Sequence, residues 1–191
     1  LLGIAGDSVD AIRERLRGGL RENIDLLLTS GGVSVGDFDV VKEVLAEEAE
    51  MHFWQVRMRP GKPFAFGRIG DVPLLGFPGN PVSAMVSFEL FGRTTLRKML
   101  GKAHRPHTTV RATLLDAVDQ KRVGFRYYLR VRLERQGGGF VARLTGEQGS
   151  GILLSMVRAD GLAIIPEPYE RMEAGTEVDV LVLDENALAG G

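Results

Sequence analysis

Serines, glycines and aspartates in one short stretch form the first group of residues that could bind a ligand. The stretch Thr29–Asp39 reads TSGGVSVGDFD and follows Ile24–Leu28, an apolar run that predicts a buried strand. Glycines allow backbone N–H groups to approach a ligand, serines add hydroxyl donors, and a strand–glycine loop–helix unit commonly holds phosphate. A tight turn without a ligand explains the same residues, because isolated glycine motifs are weak evidence.

The turn Pro78–Ser83, with the sequence PGNPVS, is a second candidate. Asn80 is a favourable N-cap and Pro81 fits the first helical position, so the sequence predicts a helix that runs to about Leu100. Its N-terminus would offer free N–H groups and a partial positive charge to an anion, or it would be a structural cap only. The side chains expected to face the core are Val82, Met85, Val86 and Leu90.

Two cations follow the next predicted strand, Met51–Met58. Prolines and a glycine hold Arg59 and Lys62 in a short loop. The planar guanidinium can form a bidentate contact with an oxyanion, and the ammonium can act as a point charge. The alternative is that Arg59 and Lys62 are solvated surface cations that bind no ligand. Period two along an extended chain would place Gln55 on the same face as Arg59.

The carboxylates in the first loop indicate a metal. Asp37 and Asp39 would repel a phosphate unless a cation such as Mg²⁺ bridges Asp39 to phosphate oxygens. Together the three loops predict a site for a phosphorylated ligand with a divalent metal. A metal shared by His104 and His107 is a weaker reading, since a proline separates them and no carboxylate is near.

Helical and strand patterns alternate as far as about Gly101, which predicts an α/β layer with ligands at the carboxyl ends of its strands. Past Pro106, short β-like segments separated by turns predict a small all-β barrel. Along one of them, leucines and valines alternate with Arg130, Arg132 and Glu134, which predicts a solvated outer face. We therefore predict an α/β domain over 1–103, a β-barrel over 104–184 and a tail over 185–191. The predicted β segments are Val110–Val118, Phe125–Leu133, Phe140–Leu144, Leu162–Ile165 and Glu177–Leu183.

Composition excludes several classes of function. The 191 residues carry a net charge of −1, which leaves no basic surface for nucleic acid or an anionic membrane. No apolar run approaches the roughly 20 residues that span a bilayer. There are no cysteines, so disulfides and thiolate chemistry are excluded, and we expect a cytoplasmic protein.

Three motifs, TSGGVSVGDFD at 29–39, RPGKPFAFG at 59–67 and GFPGNPVS at 76–83, closely resemble the molybdopterin molybdenumtransferase family. Bacterial MoeA-type enzymes and the E domain of gephyrin belong to this family. The resemblance covers about residues 1–184 and implies the C-terminal part of a longer protein whose first two domains are absent. It implies insertion of molybdate into adenylylated molybdopterin with release of AMP, assisted by Mg²⁺.

The resemblance also implies roles for individual residues. Asp39, Arg59 and Asp7 fall on functional positions, with Asp39 as the metal ligand, and Gln55 replaces a frequent family lysine. We expect the residues that contact the pterin substrate to be Ser30, Gly31, Gly32, Ser34, Gly36, Lys62, Pro78, Gly79, Asn80, Pro81, Ser83 and Ser150.

Partners follow from the same resemblance. A homodimer of the full-length protein and contact with the molybdopterin adenylyltransferase are expected, whereas nucleic acid and membrane are not. Two alternatives stay open: a non-catalytic molybdopterin-binding or scaffold module, as in the clustering role of gephyrin, and the adenylyltransferase itself, which lacks the attached β-domain.

Overall fold

The computed structural model describes residues 1–33, 40–103, 107–119 and 122–188. They form two compact units, one from Leu1–Val56 with Gly61–Arg93, the other from Arg57–Pro60 with the chain from Thr94 onward. Within the described ranges, no helix combines the length and apolar character that crossing a bilayer requires.

The helices and strands alternate in the first half of the chain, and strands dominate the second. In chain order they are α1 (Val9–Leu20), β1 (Leu27–Ser30), α2 (Val40–Glu48), β2 (Glu50–Gln55), β3 (Met58–Arg59), β4 (Pro63–Ile69), β5 (Val72–Phe77), α3 (Pro81–Ser87), a π-helical turn (Phe88–Gly92), α4 (Arg93–Met99), β6 (Thr109–Leu114), β7 (Val118–Asp119), β8 (Arg126–Gln136), β9 (Gly139–Leu144), α5 (Leu153–Val157), β10 (Gly161–Ile165), β11 (Arg171–Met172), β12 (Glu177–Val182) and a 3₁₀ turn (Glu185–Leu188).

The first unit is built on a four-stranded sheet in the order β1-β5-β4-β2. β1 and β5 are parallel with Ser30 opposite Phe77, while β4 runs antiparallel to both β5 and β2. Gln55, at the end of β2, lies opposite Pro63, at the start of β4. One edge of the sheet, at the ends of its strands, is therefore formed by the last residues of β1, β5 and β2 and the first residue of β4.

Helices cover both faces of this sheet. On one face, Ile12 of α1 and Val44 of α2 are buried with Leu27 and Leu74 in one core cluster. On the other, aromatic rings from the strands pack against the helix that follows β5, with the Phe64 and Phe91 centroids 4.6 Å apart. The sequence pattern thus predicted the α/β layer correctly.

The helix after β5 contains one residue that the sequence placed wrongly. Val82 and Val86 are fully buried as predicted, but the side chain of Met85 is 42% exposed. The buried face of α3 is formed by Val82, Ser83, Val86 and Ser87, so Met85 lies to one side of it. Backbone bonds from Gly101 to Lys98 and from Lys102 to Arg97 end α4 where the sequence predicted.

The second unit is a small closed barrel. Its strands follow the order β10-β12-β6-β9-β8, and pairing of β10 with β8 closes the circle. β3 joins the same sheet as a two-residue strand parallel to β8, with Arg59 opposite Tyr127. Leu129, Val131 and Leu133 point into the core of the barrel. All five predicted β segments contain a strand, which confirms the all-β prediction.

Two sequence predictions about these strands were wrong. Met51–Met58 is not one strand, because β2 ends at Gln55 and Met58 lies in β3, which pairs in another sheet. The outer face of β8 is not uniformly solvated, because Arg130 is completely buried while Arg132 is exposed. Thr145, Gly149 and Ser155 contact Arg130 and cover this part of the strand.

Candidate functional site

The first two candidate loops meet at the shared edge of the sheet in the first unit. The Ser30 hydroxyl donates to the Pro78 carbonyl over 3.3 Å, and the Gly31 N–H donates to the Phe77 carbonyl over 3.0 Å. Because β1 and β5 are parallel neighbours, both loops leave the sheet at their carboxyl ends. This is the position at which open α/β sheets bind ligands.

Glycines make this approach possible. Gly31 and Gly32 have φ angles of 91° and 73°, in the left-handed region where a side chain is strained. A Cβ on Gly79 would lie 3.4 Å from the Cα of Gly31, so the two loops run almost backbone to backbone. A Cβ on Gly32 would collide with the side chain of Val41.

Lys62 stands at the same edge. Its carbonyl accepts a 2.8 Å hydrogen bond from the Val56 N–H, and the next residue, Pro63, begins β4. Since β5 separates β4 from β1, and neighbouring strands lie about 4.8 Å apart, Lys62 is about 10 Å from Ser30 across the edge. The backbone of Lys62 therefore lies at the same end of the sheet as the glycine loop.

The start of α3 completes this edge. Asn80 has extended backbone angles and occupies the N-cap position, and Pro81 is the first helical residue, as predicted. The Asn80 carbonyl accepts from the Ala84 N–H at 2.9 Å, yet its side chain makes no capping hydrogen bond. The expected side-chain cap is therefore wrong. Pro78 and Ser83 are buried, whereas Gly79 and Asn80 are exposed.

Arg59 belongs to the second unit rather than to the edge that Lys62 occupies. Its guanidinium lies over the Phe125 ring, 5.1 Å from the centroid, and its Nε is buried without a hydrogen-bond partner among the described residues. Gln55 lies in β2 of the first unit. The predicted common face of Gln55 and Arg59 is therefore wrong, because no continuous strand joins them.

The remaining predicted residues are less informative. Ser34, Gly36 and Asp39 lie outside the described residues, as do Asp37 and His104. Asp7 is exposed just before Ser8, which caps α1. Ser150 is half-buried in the Gly149–Gly151 turn. Across the described ranges, no group of three or more metal-ligating side chains occurs.

Arg130 is a candidate that the sequence reasoning missed. It has no exposed surface and no carboxylate partner within the described ranges, and burial lowers its pKa to about 10. Its Nη2 donates to the Gly149 carbonyl, beside Ser150, while its Nη1 is buried and has no partner among the residues that the structure describes. A guanidinium with an unused N–H edge is a candidate ligand for an oxyanion. The only feature of the sequence that could have indicated a buried Arg130 is its position between two core residues.

Two protein families match the chain. Residues 2–98 match the family described as a probable molybdopterin binding domain, and residues 111–183 match the MoeA C-terminal region, domain IV. The glycine loop, Lys62 and the start of α3 fall in the first match, and Arg130 and Ser150 fall in the second.

Named relatives agree with this result. Molybdopterin molybdenumtransferase 2 of Mycobacterium tuberculosis is 38% identical over 82% of this chain and 39% of its own length. Gephyrin of Dictyostelium discoideum is 30% identical over 96% of the chain and 29% of its own length. The solved molybdopterin biosynthesis MoeA protein of Pyrococcus horikoshii superposes with a TM-score of 0.76 at 29% identity, over 95% of this chain and 42% of that one. The chain therefore spans less than half the length of these relatives.

Proposed function

Because the chain belongs to the molybdopterin-binding domain family and carries the C-terminal region of MoeA proteins, we propose that it forms part of a molybdopterin molybdenumtransferase. The reaction is insertion of molybdate into adenylylated molybdopterin with release of AMP. In this proposal, the first unit binds the phosphorylated pterin.

The observation that carries the proposal is the convergence of Ser30, Gly31, Lys62 and the start of α3 at one edge of the sheet. The Ser30 hydroxyl and the Gly31 N–H hold the two loops together, so in this proposal the phosphate oxygens are bound by other N–H groups of these loops and by the Lys62 ammonium. The pyrophosphate of an adenylylated pterin carries negative charge along its length, which suits a donor row about 10 Å long.

Arg59 and Arg130 are the proposed oxyanion cations of the second unit. Each has a buried nitrogen without a partner among the described residues. Molybdate is a doubly charged tetrahedral anion, and such anions pair strongly with guanidinium groups. The chain has no cysteine, so sulfur ligands for molybdenum would come from the pterin substrate. Catalysis would then depend on positioning and electrostatics rather than on a covalent intermediate.

Mg²⁺ is proposed as the metal of this reaction, with Asp39 as its protein ligand. Mg²⁺ commonly binds one or two carboxylates together with substrate phosphates, so it needs no larger protein cluster. When bound, it would neutralise phosphate charge beside the glycine loop. Asp7 is proposed as a further functional carboxylate. A cytoplasmic location, a homodimer of the longer protein and contact with the adenylyltransferase belong to the same proposal.

Two other readings are weaker. An adenylyltransferase would share the pterin-binding unit, but the match of residues 111–183 to the MoeA C-terminal region favours the molybdenumtransferase. A non-catalytic binding module is supported by the similarity to gephyrin. Turnover of adenylylated molybdopterin by the longer protein distinguishes the module from the enzyme.

A titration of the 191-residue chain with adenylylated molybdopterin tests the edge of the sheet. Lys62→Ala should weaken binding about fivefold to tenfold, because a charge-assisted contact with phosphate is lost. Arg68→Ala is the matched control: Arg68 lies near the other end of β4, about 20 Å from Lys62 at 3.3 Å per residue, where it pairs with Glu50. Equal affinities of the two variants would contradict the proposed site.

A further inference from the structure

Arg130 occupies a gap in the edge pairing of β8. β9 pairs with this edge from Val131 onward, and β3 ends before Arg130. The Gln148 side chain fills the gap as a strand would: its Oε1 accepts from the Arg130 N–H at 2.8 Å, and its Nε2 donates to the Arg130 carbonyl at 3.2 Å. The Thr145 N–H donates to the same carbonyl at 3.0 Å. The main chain of Arg130 is thus fixed.

Ser155 fixes the guanidinium itself. Arg130 Nε donates to Ser155 Oγ at 3.1 Å, and Ser155 Oγ donates its only hydrogen to the Ile152 carbonyl at 2.7 Å. Because that hydrogen is committed, a hydroxyl lone pair must face Nε. Nη2 is taken by the Gly149 carbonyl at 3.1 Å. Only the Nη1 edge remains without a partner in the described ranges.

We infer that Ser155 is a positioning residue for oxyanion binding. It occupies the Nε edge of Arg130 with a neutral acceptor, so that the guanidinium presents Nη1 in one orientation. A carboxylate in this place would neutralise the cation and compete with the ligand, whereas a hydroxyl leaves its charge available. A pre-oriented group loses less entropy when the ligand binds. The inference rests on the proposed function, in which Arg130 binds an oxyanion.

Thr145 provides a matched control. Its hydroxyl lies within 2.8 Å of the Ser155 carbonyl and 3.2 Å of the Arg130 carbonyl, so it belongs to the same cluster but contacts only main-chain oxygens. Ser155→Ala and Thr145→Val each remove one hydroxyl from the cluster. Only Ser155→Ala changes a contact of the guanidinium. Ser155→Thr keeps the hydroxyl and tests rescue.

The experiment combines a molybdate titration of the 191-residue chain at pH 7 with the NMR signal of the Arg130 Nε–H, which is identified by its loss in Arg130→Lys. Ser155→Ala should weaken molybdate binding on the order of tenfold and broaden the Nε–H signal, since a hydrogen bond of a charged group is lost. Thr145→Val should lower the melting temperature to a similar degree and change the affinity less than about twofold. Ser155→Thr should recover most of the affinity.

Two results would overturn the inference in distinguishable ways. Equal molybdate affinities of Ser155→Ala and Thr145→Val, with a molybdate-sensitive Nε–H signal in the unmodified protein, would refute positioning and leave the proposed oxyanion site intact. An Nε–H signal that molybdate does not shift in the unmodified protein would refute the role of Arg130 and, with it, the positioning by Ser155.

Discussion

Replacement of Arg130 by methionine should leave the fold as stable as before or stabilise it, although most substitutions of a fully buried residue are costly. Burial lowers the pKa of Arg130 to about 10. That is about 2.5 below the ordinary value for arginine, which corresponds to about 3 kcal/mol against the charged form in the folded protein. The buried charge destabilises the folded protein by this full amount at every pH below the lowered pKa. The effect of removing the charge can therefore be measured at neutral pH.

Replacement of Arg130 removes the buried charge, which favours folding, but the loss of its hydrogen bonds offsets most of that gain in stability. The guanidinium donates to Ser155 Oγ and to the Gly149 carbonyl, and each bond contributes about 1 kcal/mol net. Methionine is unbranched and flexible, so it can fill the space of the arginine stem. The expected result for Arg130→Met is therefore an unfolding free energy between unchanged and about 1 kcal/mol higher.

Urea unfolding of the 191-residue chain at pH 7 measures this difference. Arg132→Met is the matched control, because Arg132 lies on the same face of β8 but is exposed, and it should change stability by less than about 0.5 kcal/mol. A loss of more than about 2 kcal/mol in Arg130→Met would refute the reasoning. The guanidinium would then be a structural group that stabilises the barrel rather than a charge kept available for a ligand.

Two further comparisons test the loops of the first unit by thermal unfolding. Gly31→Ala should lower the unfolding free energy by about 1 kcal/mol, because alanine is strained at a positive φ. Gly32→Ala should lower it clearly more, because its new methyl also collides with a neighbouring side chain. Equal losses of stability would contradict the loop geometry. Ser8→Ala should cost about 1 kcal/mol because Ser8 Oγ accepts from the first turn of α1 at 3.3 Å, whereas Asn80→Ala should cost less because Asn80 makes no such bond. A larger loss for Asn80→Ala would show that its side chain stabilises the turn in another way.

Local sequence signals predicted much of the first unit. An apolar strand followed by a glycine turn, and a proline at the first position of a helix, are short-range features whose physical causes act over a few residues. The parallel pairing of β1 and β5 then brings Ser30 and Pro78 together. Strand alternation was equally sufficient to predict the barrel strands.

The errors arose where distant segments decide the environment. Period two assigned Arg130 to solvent, but alternation states only which face a residue occupies, and residues far along the chain determine whether that face is covered. In the same way, no local pattern shows that the chain changes sheets after Gln55. β3 has only two residues, and its partner Tyr127 lies 68 positions further along the chain.

The excursion of Arg57–Pro60 into the barrel has a consequence for the modularity of the protein. The chain passes from the first unit to the second, returns, and passes over again at Arg93. A single cut between the units would therefore leave the barrel without β3 and expose the free edge of β8 at Arg126 and Tyr127, which other chains could pair with. Expression of the second unit on its own with all of its strands would therefore require Arg57–Pro60 as well as the chain from Thr94 onward.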